Sequence, residues 1–162
     1  MNEDTSGLER PADPALEFIF EARGGLADSI EIGAVPGGHR RAIPICAGPF
    51  SGPRLRGNVL PGGADWQLVR PDGVAELEAI YILETDDGVR IQVRNRGIRF
   101  GPPDVMQRLG RGEIVDPSTY YFRAAPTFEA PPGRYDWLNR GIFLCTGARY
   151  PNAVVLRFYR VT

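Results

Sequence analysis

Apolar and polar residues alternate over short stretches along most of this chain, and glycine or proline closes each stretch. A period of two marks strands that bury one face. Residues 16–21 alternate in this way, and 29–35 and 41–46 follow. The stretch 55–60 ends at Pro61-Gly62-Gly63, and 65–70 stops at the turn signal Pro71-Asp72-Gly73. The clearest pair is 75–85 and 89–96, flanking the tight connection Asp86-Asp87-Gly88. With 120–125, 141–146 and 153–161, about ten strands are expected and no long helix. Short links between consecutive strands favour an antiparallel meander, and closing it removes exposed edges. The predicted fold is therefore all-β, a closed antiparallel β-barrel with a ligand-sized interior.

One segment departs from the pattern. Pro103-Asp104-Val105-Met106-Gln107-Arg108-Leu109-Gly110 carries helix punctuation, with proline and an acid early and glycine at the end. A single short helix is predicted there, inside a long 97–119 connection, as a lid over a barrel mouth or a surface plug. Residues 1–13 read as a loose tail and 14–162 as one domain.

Composition narrows the chemistry. The chain has 162 residues, 43% hydrophobic and 24% charged, which suits a globular domain with a core. A net charge of -1 predicts no nucleic-acid partner. Apolar runs fall short of a membrane helix, and the opening residues lack the pattern of a signal peptide, so a cytoplasmic protein is expected. All 19 basic residues are arginines, which excludes lysine-based Schiff-base chemistry and a P-loop. Cys46 and Cys145 lie in apolar runs without zinc spacing and read as buried thiols. His39, the single histidine, reads as an exposed turn residue, which excludes a histidine triad or a multi-histidine metal site. No metal and no cofactor are expected.

A series of short motifs runs through the chain in order. They are Gly62-Gly63-Ala64-Asp65-Trp66, Arg70-Pro71-Asp72-Gly73, Leu83-Glu84-Thr85-Asp86-Asp87-Gly88 and Arg94-Asn95-Arg96-Gly97-Ile98-Arg99. Tyr121-Phe122-Arg123, Pro126-Thr127-Phe128-Glu129 and Trp137-Leu138-Asn139 follow. The series resembles domain-of-unknown-function family 3237, also called uncharacterised protein family 0311, over nearly the whole chain. The resemblance implies a small β-barrel, similar to those of allene oxide cyclases, dirigent proteins and some natural-product cyclases. Ile80, Gln92, Ala125 and Ala130 depart from the family's usual polar residues, so a pocket lined by them would be less polar than in relatives.

Several side chains carry candidate chemistry. Asp65, between a Gly-Gly pair and Trp66, is either a general acid or base at the barrel mouth or a turn cap. Glu78, mid-strand, is a pocket carboxylate facing an arginine or a surface residue. Tyr121 and Arg123 share a strand face and would polarise a carbonyl, or else Arg123 makes a structural bridge. Arg94 can play either part. Trp66, Phe128 and Trp137 are candidate cavity walls, and Asn139 a hydrogen-bonding group; core packing is the other reading of Trp137.

Taken together, these residues favour a cofactor-independent enzyme performing a cyclisation, isomerisation or related acid/base step. Its substrate would be a small hydrophobic polyketide, terpenoid or aromatic molecule, and the protein a possible homodimer. The alternatives are a non-catalytic small-molecule-binding barrel and a structural protein with a filled core.

Overall fold

In the computed structural model, which describes residues 5–162, eleven strands follow the alternating stretches. They are β1 (Leu16–Gly25), β2 (Ile30–Val35), β3 (Gly38–Pro44), β4 (Gly48–Ser51), β5 (Arg56–Val59) and β6 (Ala64–Val69). β7 (Ala75–Thr85), β8 (Arg90–Phe100), β9 (Tyr121–Glu129), β10 (Ile142–Tyr150) and β11 (Ala153–Val161) complete the set. Of the expected tail, residues 1–4 lie outside the described residues, and 5–13 form no strand or helix. The one α-helix among the described residues, α1 (Pro103–Gly110), occupies the predicted span. Pro102 and Pro103 open it, and the N–H groups of Arg111, Gly112 and Glu113 satisfy its last carbonyls.

Eight strands close the barrel in the order β7-β5-β4-β1-β11-β10-β9-β8, and β8 pairs back onto β7. All these pairings are antiparallel. β6, β3 and β2 extend the sheet from the first half of β7 at one end of the barrel. Thus β5 and β6 share one edge of β7, and the Leu60 N–H donating to the Ile82 carbonyl bridges the two. β3 and β4 follow β1 in the same way through the Leu26–Ile45 bridge.

β4 lies between the predicted strands 41–46 and 55–60, where no strand is expected. Gly48 makes the strand possible, because a Cβ there would sit 1.9 Å from the Arg23 carbonyl oxygen. Only a glycine lets β4 press against β1 and close the ring. Alternation then continues through the corner, with Ile45 buried and Cys46 exposed, so the expectation of two buried thiols holds for Cys145 alone. His39 lies within β3 and not in a turn, exposed and paired with Glu31.

The interior divides into two halves. One is filled by aromatic rings: Phe20 stacks on Phe158 at 4.3 Å, and Phe128 meets Phe143 edge-on at 4.9 Å. The other half is lined by smaller residues such as Ala22, Gly24, Ala79 and Ala124, and it stays hollow. A Gly48→Ala variant should lose roughly 1–3 kcal/mol of stability, because an added methyl there overpacks the β1–β4 seam. Chemical denaturation would check this, and an unchanged midpoint would contradict the seam's role in closure.

Candidate functional site

Register carries one polar row into the hollow half. Asp65 on β6 sits opposite Ala79 on β7, and Ala79 sits opposite Asn95 on β8. Residues two and four positions along these strands share that inner face, which brings in Gln67, Tyr81 and Arg99. Among the described residues these five polar side chains, with Arg149 from β10, line an inner cavity of about 60 Å³ whose other walls are largely apolar. At the barrel mouth a wider hollow of about 420 Å³ continues outward. Ile43, Arg99 and Arg149 belong to both spaces. Arg41, Met106 and Leu109 line only the outer one, so α1 forms part of its rim. Ligand sites usually span about 300–1,000 Å³. The mouth therefore has room for a ligand's body, and the inner cavity for one end of it.

Asp65 is held from two sides. Gln67 Nε2 donates to its Oδ2 at 2.7 Å, and the Glu78 backbone N–H donates to its Oδ1 at 3.1 Å. Arg41 completes the chain by donating from Nε and Nη2 to Gln67 Oε1, at 3.0 and 2.8 Å. Burial raises the Asp65 carboxyl above the usual aspartate range, against the opposing pull of the Gln67 amide, the Arg99 charge and the Glu78 N–H. A carboxyl so placed gives and takes a proton more readily near neutral pH than an exposed one.

Three polar atoms in this half are buried without a hydrogen-bond partner among the described residues: Tyr81 Oη, Asn95 Oδ1 and Arg99 Nε. All three belong to residues that line the inner cavity. Burial holds the Tyr81 phenol well above its ordinary value, so it stays a neutral donor. Burial, with the neighbouring Arg41 and Arg149 charges, pushes Arg99 down to about 10, so it remains cationic at neutral pH. Arg149 is lowered in the same direction, first by burial and then by the Arg41 charge. Its Nη1 donates to the Tyr150 and Ala153 carbonyls. Cys145, pushed up to about 12 by burial, is an inert thiol outside the cavity lining.

Of the residues singled out from sequence, Asp65 alone faces this cavity. Glu78 points from the outer wall, where its Oε1 accepts from Arg94 at 2.9 Å and Arg96 at 3.0 Å. Of the two readings of Glu78, a pocket carboxylate facing an arginine or a surface residue, its contacts fit the second, and Arg94 bridges it on the outside. Tyr121 is 43% exposed and stacks on Phe100, and the Arg123 guanidinium lies over the Tyr121 ring. Both lie outside because Phe122 and Ala124 take the inner face of β9. Trp66 faces outward, 48% exposed, since Asp65 and Gln67 take the inner face of β6. Phe128 packs in the aromatic half, away from the cavity. Trp137 lies under the Arg54 guanidinium and near Phe143, and Asn139 holds the Ala130 backbone in both directions. Ile80, Gln92, Ala125 and Ala130 line neither hollow, so they do not set its polarity.

Sequence reasoning missed Arg41, Gln67, Tyr81, Asn95, Arg99 and Arg149. A signal existed for Asn95 and Arg99. Along β8 the polar residues Arg90, Gln92, Arg94 and Arg96 alternate with Ile91 and Val93, and Asn95 and Arg99 fall on the apolar side. Polar residues in register with a greasy face are either costly or functional. Among the described residues no group of His, Cys, Asp and Glu gathers into a metal-binding arrangement. The cavity instead offers one carboxyl, two amides, a phenol and guanidinium groups.

An Arg99→Met variant should be more stable than wild type by about 1–3 kcal/mol, because it removes a buried charge that makes no ion pair among the described residues. Thermal or urea unfolding would measure this. A marked loss of stability would mean that the guanidinium is satisfied within the fold.

Comparison with known proteins finds relatives for nearly the whole chain. The family model described as "Protein of unknown function (DUF3237)" matches residues 14–161. A UPF0311 protein of Rhodopseudomonas palustris is 43% identical over 150 residues, 91% of this chain and 98% of that protein. A UPF0311 protein of Clostridium acetobutylicum is 46% identical over 125 residues, 77% of this chain and 79% of its own length. Among solved structures, a β-barrel-like protein from Acinetobacter baumannii superposes with a TM-score of 0.84 at 36% identity, covering 96% of this chain and all of that one. A protein described as an enzyme from Penicillium herquei shares the fold at a TM-score of 0.71 and 20% identity, covering 95% of this chain and 98% of its own.

Proposed function

The chain belongs to the DUF3237 family, and we propose that it is an acid/base enzyme acting on a small, mostly apolar molecule inside the barrel. The observation that carries this reading is the set of unpartnered buried polar atoms around Asp65, at the inner end of a ligand-sized mouth. A shared fold with a protein described as an enzyme agrees with it but names no reaction.

The chemistry needs only groups of the chain. A substrate body rests in the mouth and its carbonyl end enters the inner cavity. Asp65, as the carboxylate, takes a proton from the carbon next to that carbonyl. The electron pair of the broken C–H bond moves onto the carbonyl oxygen, giving an enolate. Arg99 Nε–H and the Tyr81 hydroxyl donate to that oxygen, which satisfies both groups. Where a C=C bond adjoins the deprotonated carbon, the enolate is a dienolate, and the protonated Asp65 returns the proton at its far carbon as the double bond moves into conjugation with the carbonyl, which is an isomerisation. Where the substrate carries an internal electrophile, the enolate attacks it and Asp65 protonates the product, which is a cyclisation. Gln67 and the Glu78 N–H keep the carboxyl oriented throughout.

The test is deuterium exchange in D2O, followed by NMR, over a panel of apolar ketones and β-dicarbonyl compounds. The Asp65→Asn variant should exchange its best compound about 10²- to 10⁴-fold more slowly than wild type. Tyr121→Phe, altered on the outer wall, should match wild type. Because the carboxylate is the working form, kcat/KM should rise with pH through a midpoint above the ordinary aspartate value. Full turnover in Asp65→Asn would overturn the assignment. Tight binding of panel members with no exchange in wild type would favour a carrier barrel.

A further inference from the structure

Acidic partners are plentiful for arginines on the outside of this protein. Arg70, Arg90, Arg94, Arg96, Arg108 and Arg111 each sit within 4 Å of an aspartate or glutamate. The three arginines that line the mouth are different. Among the described residues, Arg41, Arg99 and Arg149 form no ion pair, although the exposed Asp28 also lines the mouth and Asp65 lines the adjoining inner cavity. Arg41 spends two donors on the neutral Gln67 amide and Arg149 spends Nη1 on backbone carbonyls. Each guanidinium carries five N–H donors in a planar fork, so both retain donors for another group. Arg99 is 5% exposed with its Nε unpartnered. Like charges converging in a partly dry hollow repel, and they persist in a fold when something negative is to be held there.

Building on the proposed function, we infer that the substrate is an organic anion: an apolar molecule whose carboxylate, or an equally planar oxyanion, is gripped at the mouth by Arg149 and Arg41. The division of space favours this orientation. Arg41 lines only the wide outer hollow, Arg149 lines both spaces, and Asp65 lies in the narrow inner one. At the mouth three guanidinium groups outnumber the single exposed carboxylate, Asp28, whereas an anionic head pushed inward would meet the buried Asp65 in a narrow space, so the head stays outside and the uncharged, reacting end goes in. Val69, Met106 and Leu109 supply apolar wall beside the head, which suits a molecule with a greasy body better than a free inorganic anion. Arg99, shared by both spaces, then faces the oxygen that becomes negative during the reaction.

The experiment measures binding of 4-phenylbutyrate, its uncharged methyl ester and inorganic phosphate to the intact protein by calorimetry. The carboxylate should bind at least tenfold tighter than the ester at low salt, and this preference should shrink as salt is raised. Phosphate should bind more weakly than the carboxylate, for lack of an apolar body. Arg149→Gln and Arg41→Gln should each reduce the preference severalfold, while Arg149→Lys, which keeps the charge, should retain part of it. The salt series uses wild type alone, so it decides the matter even if a variant fails to fold. Equal binding of acid and ester would overturn the anion inference and leave the acid/base site standing. Binding of neither compound would overturn the inference and count against the cavity as a ligand site altogether. Phosphate binding as tightly as the organic acid would overturn the assignment of an apolar substrate.

Discussion

A buried polar atom with no partner costs free energy, and folding offers nothing in return unless something else completes it. In this barrel the unpartnered atoms are not scattered. Tyr81 Oη, Asn95 Oδ1 and Arg99 Nε all belong to one cavity wall, close to a carboxyl that burial keeps above its ordinary range. That clustering is the constraint from which the functional account follows. A protein selected for stability alone would have leucine or methionine at such positions; on the proposed reading, a ligand completes this polar lining.

The architecture makes this tolerable by dividing the interior. Stacked and edge-on phenyl rings fill one half, where Phe20, Phe158, Phe128 and Phe143 are each almost fully buried. Small side chains line the other half, and its polar groups come in through strand register: Asp65 opposite Ala79, Ala79 opposite Asn95. Bulky packing at one end supplies cohesion, and sparse packing at the other supplies space. The chain Arg41–Gln67–Asp65 joins the rim of the mouth to the inner carboxyl through direct hydrogen bonds.

The closed barrel was legible in the alternation, and the helix at Pro103–Gly110 in its punctuation. β4 was not, because Gly48-Pro49 has the composition of a turn and becomes a strand only through contact with β1. Asp65 was legible as a candidate, but its neighbours were sought by residue chemistry when register was the better guide. Tyr121 and Arg123 share a strand face, yet Phe122, Ala124 and Phe128 hold the opposite, apolar face, and the greasier face of a barrel strand turns inward. The same rule applied to β8 puts Asn95 and Arg99 inside. Arg41 and Arg149 were beyond reach, since both reach the mouth from β3 and β10, two strands that do not pair with each other.

The account stands on the state of one carboxyl. A pH titration of Asp65 followed by carbon-13 NMR of its side-chain carboxyl reads that state in the folded protein. The account predicts a midpoint clearly above the ordinary aspartate value of 3.8. A midpoint at or below that value would mean that water or fixed charges already solvate the group, and it would contradict a desolvated proton-transfer site inside the barrel.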